Sequence, residues 1–284
     1  MSKLITYKKL FKLSVLGSVF ACSSIALNAT AADTSGIPSK PTSPIVVQSG
    51  ETYDFGGRTL DGSNIQDNGL FRCWGKSNVT IKNVTVTNSP RYAVLARNCT
   101  NATITNFTMK NMQNSYGGIR FDIDGDSSGL KLDNIYAYDV GGQAVEVWNA
   151  DGFTIGNIRA DRTGGCGLLL NKSKNGTVGT VTGNYNNQGG GYATFRVANG
   201  NGPNVKVNKV YSRNSGRGFF SVSGSYGTTV NYVDIASSTK EGIYIQDATS
   251  TKVLSGKVRG NPNCRIRGGS GNSIAADCGG TIWD

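Results

Sequence analysis

The chain repeats itself. Cut before each short β-rich run, it gives units beginning near Ser77, Asn101, Gly129, Gly152, Asn175, Pro203, Gly227 and Ser250, spaced by 24, 28, 23, 23, 28, 24 and 23 residues. A period of this size means stacked units that cannot bury a hydrophobic face alone. Each unit opens on alternating apolar residues, such as Val79-Thr80-Ile81, Leu130-Lys131-Leu132 or Phe153-Thr154-Ile155. A polar turn residue follows, then a second alternating run such as Val84-Thr85-Val86. After a Gly- or Asn-rich stretch comes a third: Phe121-Asp122-Ile123, Val145-Glu146-Val147, Ile243-Tyr244-Ile245. Three period-two runs per unit, with no amphipathic helical stretch, exclude helical repeats. Propeller blades need about forty residues, and leucine-rich repeats need their own consensus. The expected fold is all-β, a single-stranded right-handed parallel β-helix of about eight coils. Inward alternates of stacked coils share one core and outward alternates stay polar.

The turn after the first run carries Asn83, Asn106, Asn134 and Asn157 in four successive units. Asparagine tolerates the left-handed backbone of a tight corner, and its amide can bond the asparagine above. This column is expected to be a structural ladder. Most of the 39 glycines fall at corners and in the loops before the third run.

The sequence divides into five parts. Residues 1–31 read as a signal peptide: Lys3, Lys8, Lys9 and Lys12, an apolar run from Leu13 to Leu27, then Ala29-Thr30-Ala31. The alternative is a lipoprotein cysteine at Cys22. Residues 32–50 read as a flexible leader, 51–76 as an irregular N-terminal cap, 77–271 as the β-helix and 272–284 as a C-terminal cap. Removing the signal peptide takes four lysines from the 29 bases and nothing from the 18 acids. The net charge falls from +11 to +7, which still favours an anionic partner.

Histidine is absent, and the five cysteines after the signal peptide have no metal-ligand spacing, which excludes a zinc site. Export permits disulfides. Cys73 with Cys99 could join the first coils and Cys264 with Cys278 could pin the C-terminal end, leaving Cys166 buried and inert.

Registering the third runs on one another places Leu95, Asp122, Glu146, Leu169, Arg196, Ser221 and Tyr244 in one outward column. Arg97, Asp124, Trp148, Asn171, Ala198, Ser223 and Gln246 form the next, with Arg120 and Phe219 beside them. Aspartate and glutamate are poor strand formers, yet here they share a face with arginines and aromatics. Candidate catalytic residues are therefore Arg196, Glu146, Asp122 and Lys172. Candidate substrate contacts are Arg97, Arg120, Trp148, Phe219 and Tyr244. Asp122, Asp124 and Glu146 together could hold Ca²⁺, which favours carboxylate oxygens.

Coil length, three-run pattern, asparagine ladder, signal peptide and basic charge resemble the secreted pectate-lyase-like β-helix superfamily. The resemblance is one of architecture and covers most of the chain after residue 31. The Gly-His-Gly of polygalacturonases and the Trp-x-Asp-His of the largest pectate lyase family do not occur. Asp139-Val140-Gly141-Gly142-Gln143-Ala144-Val145 is loosely similar to a segment of the small basic pectate lyases. The resemblance implies an acidic polysaccharide as partner, cleaved by β-elimination, with Arg196 as base and Lys172 as the second choice. A histidine-free glycoside hydrolase and a non-catalytic carbohydrate-binding solenoid remain open alternatives. A monomer without nucleic-acid or stable membrane partners is expected.

Overall fold

The computed structural model describes residues 29–112, 116–124, 128–260, 263–280 and 282. The basic and apolar parts of the expected signal peptide, with Cys22, lie outside the described residues. Strands alternate between two parallel sheets. Sheet A has twelve strands and sheet B ten, and each coil gives a strand to A and then one to B. In sheet A, Thr80–Thr87 pairs with Thr103–Met112, then Leu130–Val140, Asp151–Thr163, Lys174–Asn184, Val205–Arg213 and Thr228–Ala236. In sheet B, Gly69–Trp74 is followed by Tyr92–Arg97, Gly117–Asp122, Gln143–Trp148, Leu168–Asn171, Phe195–Ala198, Phe219–Ser221, Ile243–Thr249 and Cys264–Ser270.

Two details differ from the sequence reading. The first two runs of each unit are one strand bent at the asparagine corner, so the three runs form two sheets. The coils also number about ten. Residues 51–76 are not an irregular cap: Glu51–Asp61 pairs in parallel with Thr80–Thr87, and Gly69–Trp74 with Tyr92–Arg97. The β-bulge between Asp54 and Arg58 breaks the alternation there and hides the strand from a period-two search.

The inward residues behave as the alternation demands. Ile81, Ile104, Leu132, Ile155, Val178, Val207, Val230 and Val253 stack in one buried column of sheet A. Phe121, Ile123, Val145 and Val147 line the sheet B side of the core. Each such side chain contributes about 1.5–3 kcal/mol by burial, which is what holds a solenoid without helices together.

The corner ladder is directional. Asn134 Nδ2 donates to Asn106 Oδ1 at 2.6 Å, Asn106 Nδ2 to Asn83 Oδ1 at 2.9 Å, and Asn83 Nδ2 to Asp54 Oδ1 at 2.9 Å. Asn83, Asn106 and Asn134 have φ between 49° and 56°. Asn157 departs from the pattern: its backbone N–H and its amide both donate to Asp133 Oδ1. The disulfides Cys73–Cys99 and Cys264–Cys278 form as expected. Cys166 is free and buried, and burial pushes its thiol up to about 12. Among the described residues no helix is long and apolar enough to cross a membrane.

Candidate functional site

The outer face of sheet B presents two columns of side chains, with neighbours about 4.8 Å apart along the axis. One reads Arg72, Leu95, Arg120, Glu146, Leu169, Arg196, Phe220, Tyr244, Arg265. The other reads Trp74, Arg97, Asp122, Trp148, Asn171, Ala198, with Gln246 and Arg267 paired further along. Arg120, not Asp122, therefore lies in the column of Glu146, and Asp122 lies in the column of Trp148. The coils before and after Gly117–Asp122, 25 residues from Leu95 to Arg120 and 26 from Arg120 to Glu146, are longer than the 23-residue coils on either side of them, and a two-residue slip keeps every side chain on its face. Alternation alone cannot detect such a slip.

The register brings one group together. Arg120 Nε donates to both Asp122 oxygens at 3.0 Å, and its Nη2 lies 2.9 Å from Asp122 Oδ1. Its Nη1 donates to Glu146 Oε2 at 2.9 Å. Glu146 is only 8% exposed. Its other oxygen accepts from Trp148 Nε1 at 2.7 Å and Asn171 Nδ2 at 3.3 Å. Asn171 is itself fixed by Asn199 Nδ2 at 2.8 Å. A nearly buried carboxylate is tolerable because its lone pairs are taken by a cation and two neutral donors. Burial works against the charge of the Arg120 guanidinium, and the same two carboxylates outweigh it and hold the group charged. Beside it, burial raises the Tyr92 hydroxyl above its ordinary value, against a lowering by the Arg120 charge.

A groove of about 290 Å³ opens over this group, lined by Asp67, Asn68, Arg91, Tyr92, Leu95, Arg97, Tyr116, Arg120 and Asp122. Rings and guanidinium groups alternate in this groove and on the adjoining strand Gly69–Trp74, whose Arg72 and Trp74 lie beside its lining. Trp74 lies between Arg72 at 4.7 Å and Arg97 at 5.3 Å, Arg91 covers Tyr116 at 4.0 Å, and Tyr116 meets Tyr92 edge-on at 5.9 Å. Trp74, Tyr92, Tyr116, Arg72 and Arg91 were not singled out in the sequence. Trp74 and Arg72 fall in the segment read as a cap, and Tyr92 precedes the alternating run. No signal repeated along the sequence marks them.

Other expected residues are placed elsewhere. Asp124 has left the sheet: its backbone N–H donates to Asn98 Oδ1 at 2.7 Å, and Asn98 Nδ2 donates back to its carboxylate at 3.4 Å. With Arg120 between Asp122 and Glu146, the three acids do not gather into an all-carboxylate cage. Among the described residues no group of acids or cysteines has metal-binding geometry. Lys172 occupies the corner after the strand, with φ 48°, and points off the sheet face into solvent. Arg196 is separated from Glu146 by Leu169 and packs between Tyr192 and Phe220, each 5.1 Å away.

Phe219 is a correction. It is fully buried and stacks on Phe195 inside the core at 5.5 Å, so Phe220 takes the outward place. Two adjacent phenylalanines give no alternation from which to choose. Tyr244 faces outward but is only 6% exposed, stacked on Phe220 at 5.1 Å with Arg217 and Arg265 against its ring. It is thus a packing residue of the face rather than an open platform.

Residues 68–231 match the model of a family described as "Right handed beta helix region". No curated protein matches the sequence. Among solved structures, the crystal structure of the enzymatically active domain of bacteriophage CBA120 tailspike protein 2 is similar at 12% identity and a TM-score of 0.42. The alignment covers 87% of this chain and 43% of that one, so the chain spans under half the length of the structure it matches.

Proposed function

The chain belongs to the right-handed β-helix family, and on that scaffold we propose that it binds an acidic, uronate-containing polysaccharide along the outer face of sheet B and cleaves it by β-elimination. One observation carries the reading. Arg72, Arg97, Arg196, Arg265 and Arg267 all point outward from sheet B, and none has a carboxylate partner among the described residues. Arginines elsewhere on the molecule, such as Arg159, Arg162, Arg213 and Arg259, are paired with acids. A row of unpaired guanidinium groups interleaved with rings suits a chain of flat, anionic sugars: fork geometry for carboxylates and faces for stacking.

In this reading Arg97, stacked on Trp74 and beside Asp122, takes the uronate carboxylate and makes the C5 proton more acidic. Asp122 lines the groove and accepts that proton. The electron pair forms the C4–C5 double bond as the C4–O4 bond breaks. The Tyr92 hydroxyl, protonated at neutral pH as an ordinary phenol is, supplies a proton to the departing O4. Arg120 and Glu146 hold Asp122 in place. Arg196, two strands from Glu146 and so about 10 Å away, serves a neighbouring sugar as a cation instead of as base. No step requires Ca²⁺, though a chelator control tests that directly. A second reading, hydrolysis, is favoured by Asp122 and Glu146 being held on one guanidinium, since glycosidases work with paired carboxylates.

The test is incubation with polygalacturonate, alginate and neutral polysaccharides, with and without chelator, following ultraviolet absorbance and reducing ends together. Elimination gives both signals on an acidic polymer, and loss of Arg97 or Tyr92 should suppress both. Reducing ends without absorbance would replace elimination by hydrolysis. New ends of neither kind would overturn the enzymatic reading.

A further inference from the structure

A second left-handed corner recurs at the ends of the sheet A strands. Its residues are Asn88, Asn111, Asp139, Arg162, Tyr185, Asn214 and Ser237, each one past a residue of a single paired column and each with φ between 51° and 59°. Asparagine suits this left-handed corner, as at Asn88, Asn111 and Asn214. Arginine and tyrosine do not. In three consecutive coils the corner carries Asp139, which tolerates it, and then Arg162 and Tyr185, which do not, and these three line one cavity of about 680 Å³. Residues kept against the preference of their backbone are a pointer to function when they converge on one space.

The cavity combines an ion pair with an open aromatic ring. Arg162 Nε lies 2.7 Å from Asp139 Oδ1, its Nη1 donates to Tyr138 Oη at 3.1 Å, and its guanidinium covers the Tyr138 ring at 5.4 Å. Tyr185, 47% exposed, supplies an open ring. The far wall is cross-linked by hydrogen bonds. Asn187 accepts from the backbone N–H groups of Gly190 and Tyr192 at 3.1 and 2.8 Å and donates to the Gly164 carbonyl at 2.6 Å. The charge of Arg162 is matched by Asp139, unlike those of Arg72, Arg97, Arg196, Arg265 and Arg267 on sheet B, so the cavity does not select an anion. A carboxylate and a guanidinium side by side, next to a free aromatic face, fit a ring that carries hydroxyl groups.

We infer that the Asp139–Arg162–Tyr185 cavity is a binding site for a neutral sugar unit of a glycan, separate from the acidic-polysaccharide face. The inference does not depend on cleavage, and its assay reads binding alone.

The experiment titrates the full chain with neutral hexasaccharides of gluco, manno and galacto configuration by isothermal calorimetry, for wild type, Tyr185→Asn and Arg162→Asn. Tyr185→Asn installs the residue the corner prefers, so it should fold at least as stably as wild type. At least one hexasaccharide should bind wild type, and Tyr185→Asn should weaken it about tenfold, the value of one lost stacking platform. Cleavage of acidic polymer by that variant, where wild type shows it, should be unchanged. Absence of binding by all three sugars, or equal affinity of wild type and Tyr185→Asn, would overturn the proposal. So would preferential binding of an acidic oligosaccharide at this site.

Discussion

Replacing Arg120 with methionine should destabilise the fold as well as the site. The substitution keeps the aliphatic stem but removes the cation shared by Asp122 and Glu146. The Glu146 side chain is 10% exposed and that of Asp122 is 31% exposed. Breaking a fully buried pair costs about 3–5 kcal/mol, whereas an exposed pair is worth about 0–1 kcal/mol. Glu146 lies near the first limit and Asp122 near the second, and Glu146 keeps its bonds from Trp148 and Asn171. The expected loss is about 2–3 kcal/mol, or about 4–12 °C in melting temperature for a domain of this size. Urea unfolding followed by circular dichroism measures it. The double variant Arg120→Met with Glu146→Gln should recover about 1–2 kcal/mol, because a neutral amide needs no counter-charge. Should Arg120→Met unfold with wild type, or the double variant be no more stable than the single, Glu146 does not depend on the guanidinium and the site is misassembled here.

Val147→Asp should prevent folding, because it places an unpaired charge at a fully buried position; a soluble variant with wild-type melting refutes the inward assignment. Reducing agent should destabilise both ends, by about 3 kcal/mol for each closed loop, 26 residues at Cys73–Cys99 and 14 at Cys264–Cys278; unchanged melting with reductant contradicts this. The Cys166 thiol, ordinarily near 9.0 and pushed up to about 12, stays protonated when folded while the unfolded thiol ionises. Stability should therefore fall as pH rises from about 9 toward 12, and Cys166→Ala should flatten that slope. Arg72→Ala and Arg267→Ala should each weaken binding of polygalacturonate, with the difference shrinking at high salt; equal affinities at low salt would count against the arginine row.

Where apolar and polar residues alternate without ambiguity, the faces were legible in the sequence. Val145-Glu146-Val147 states which residues face the core, and the structure obeys it. So did both disulfides and the first asparagine ladder. What was lost depends on register, which parity does not fix. A two-residue slip moved Asp122 out of the Glu146 column while leaving it outward, and the Phe219–Phe220 pair concealed a one-residue slip. The groove was harder still. Trp74 lies beyond a β-bulge that broke the repeat, and Tyr92 sits just ahead of its alternating run. No pattern in the chain announces that Arg120 grips two acids at once, because that follows from the pairing of Arg120 with Glu146 across coils 26 residues apart.

The asparagine stacks have a direction, and something must choose it. An amide both donates and accepts, so a column of identical asparagines could point its amides either way by turning every side chain over. Here one column ends on Asp54. A second, Asn204 to Asn175, ends on Asp151, and a third, Asn199 to Asn171, ends on Glu146. A carboxylate only accepts. Placed at the N-terminal end of each stack, it acts as a boundary condition that forces every amide above it to donate downward and aligns their dipoles. Asp54 and Asp151 register this in carboxyl groups held below their usual value chiefly by the asparagine they face. At Glu146 the same device works inside the candidate site, so the last amide of a structural column also helps to fix the orientation of the carboxylate that grips Arg120.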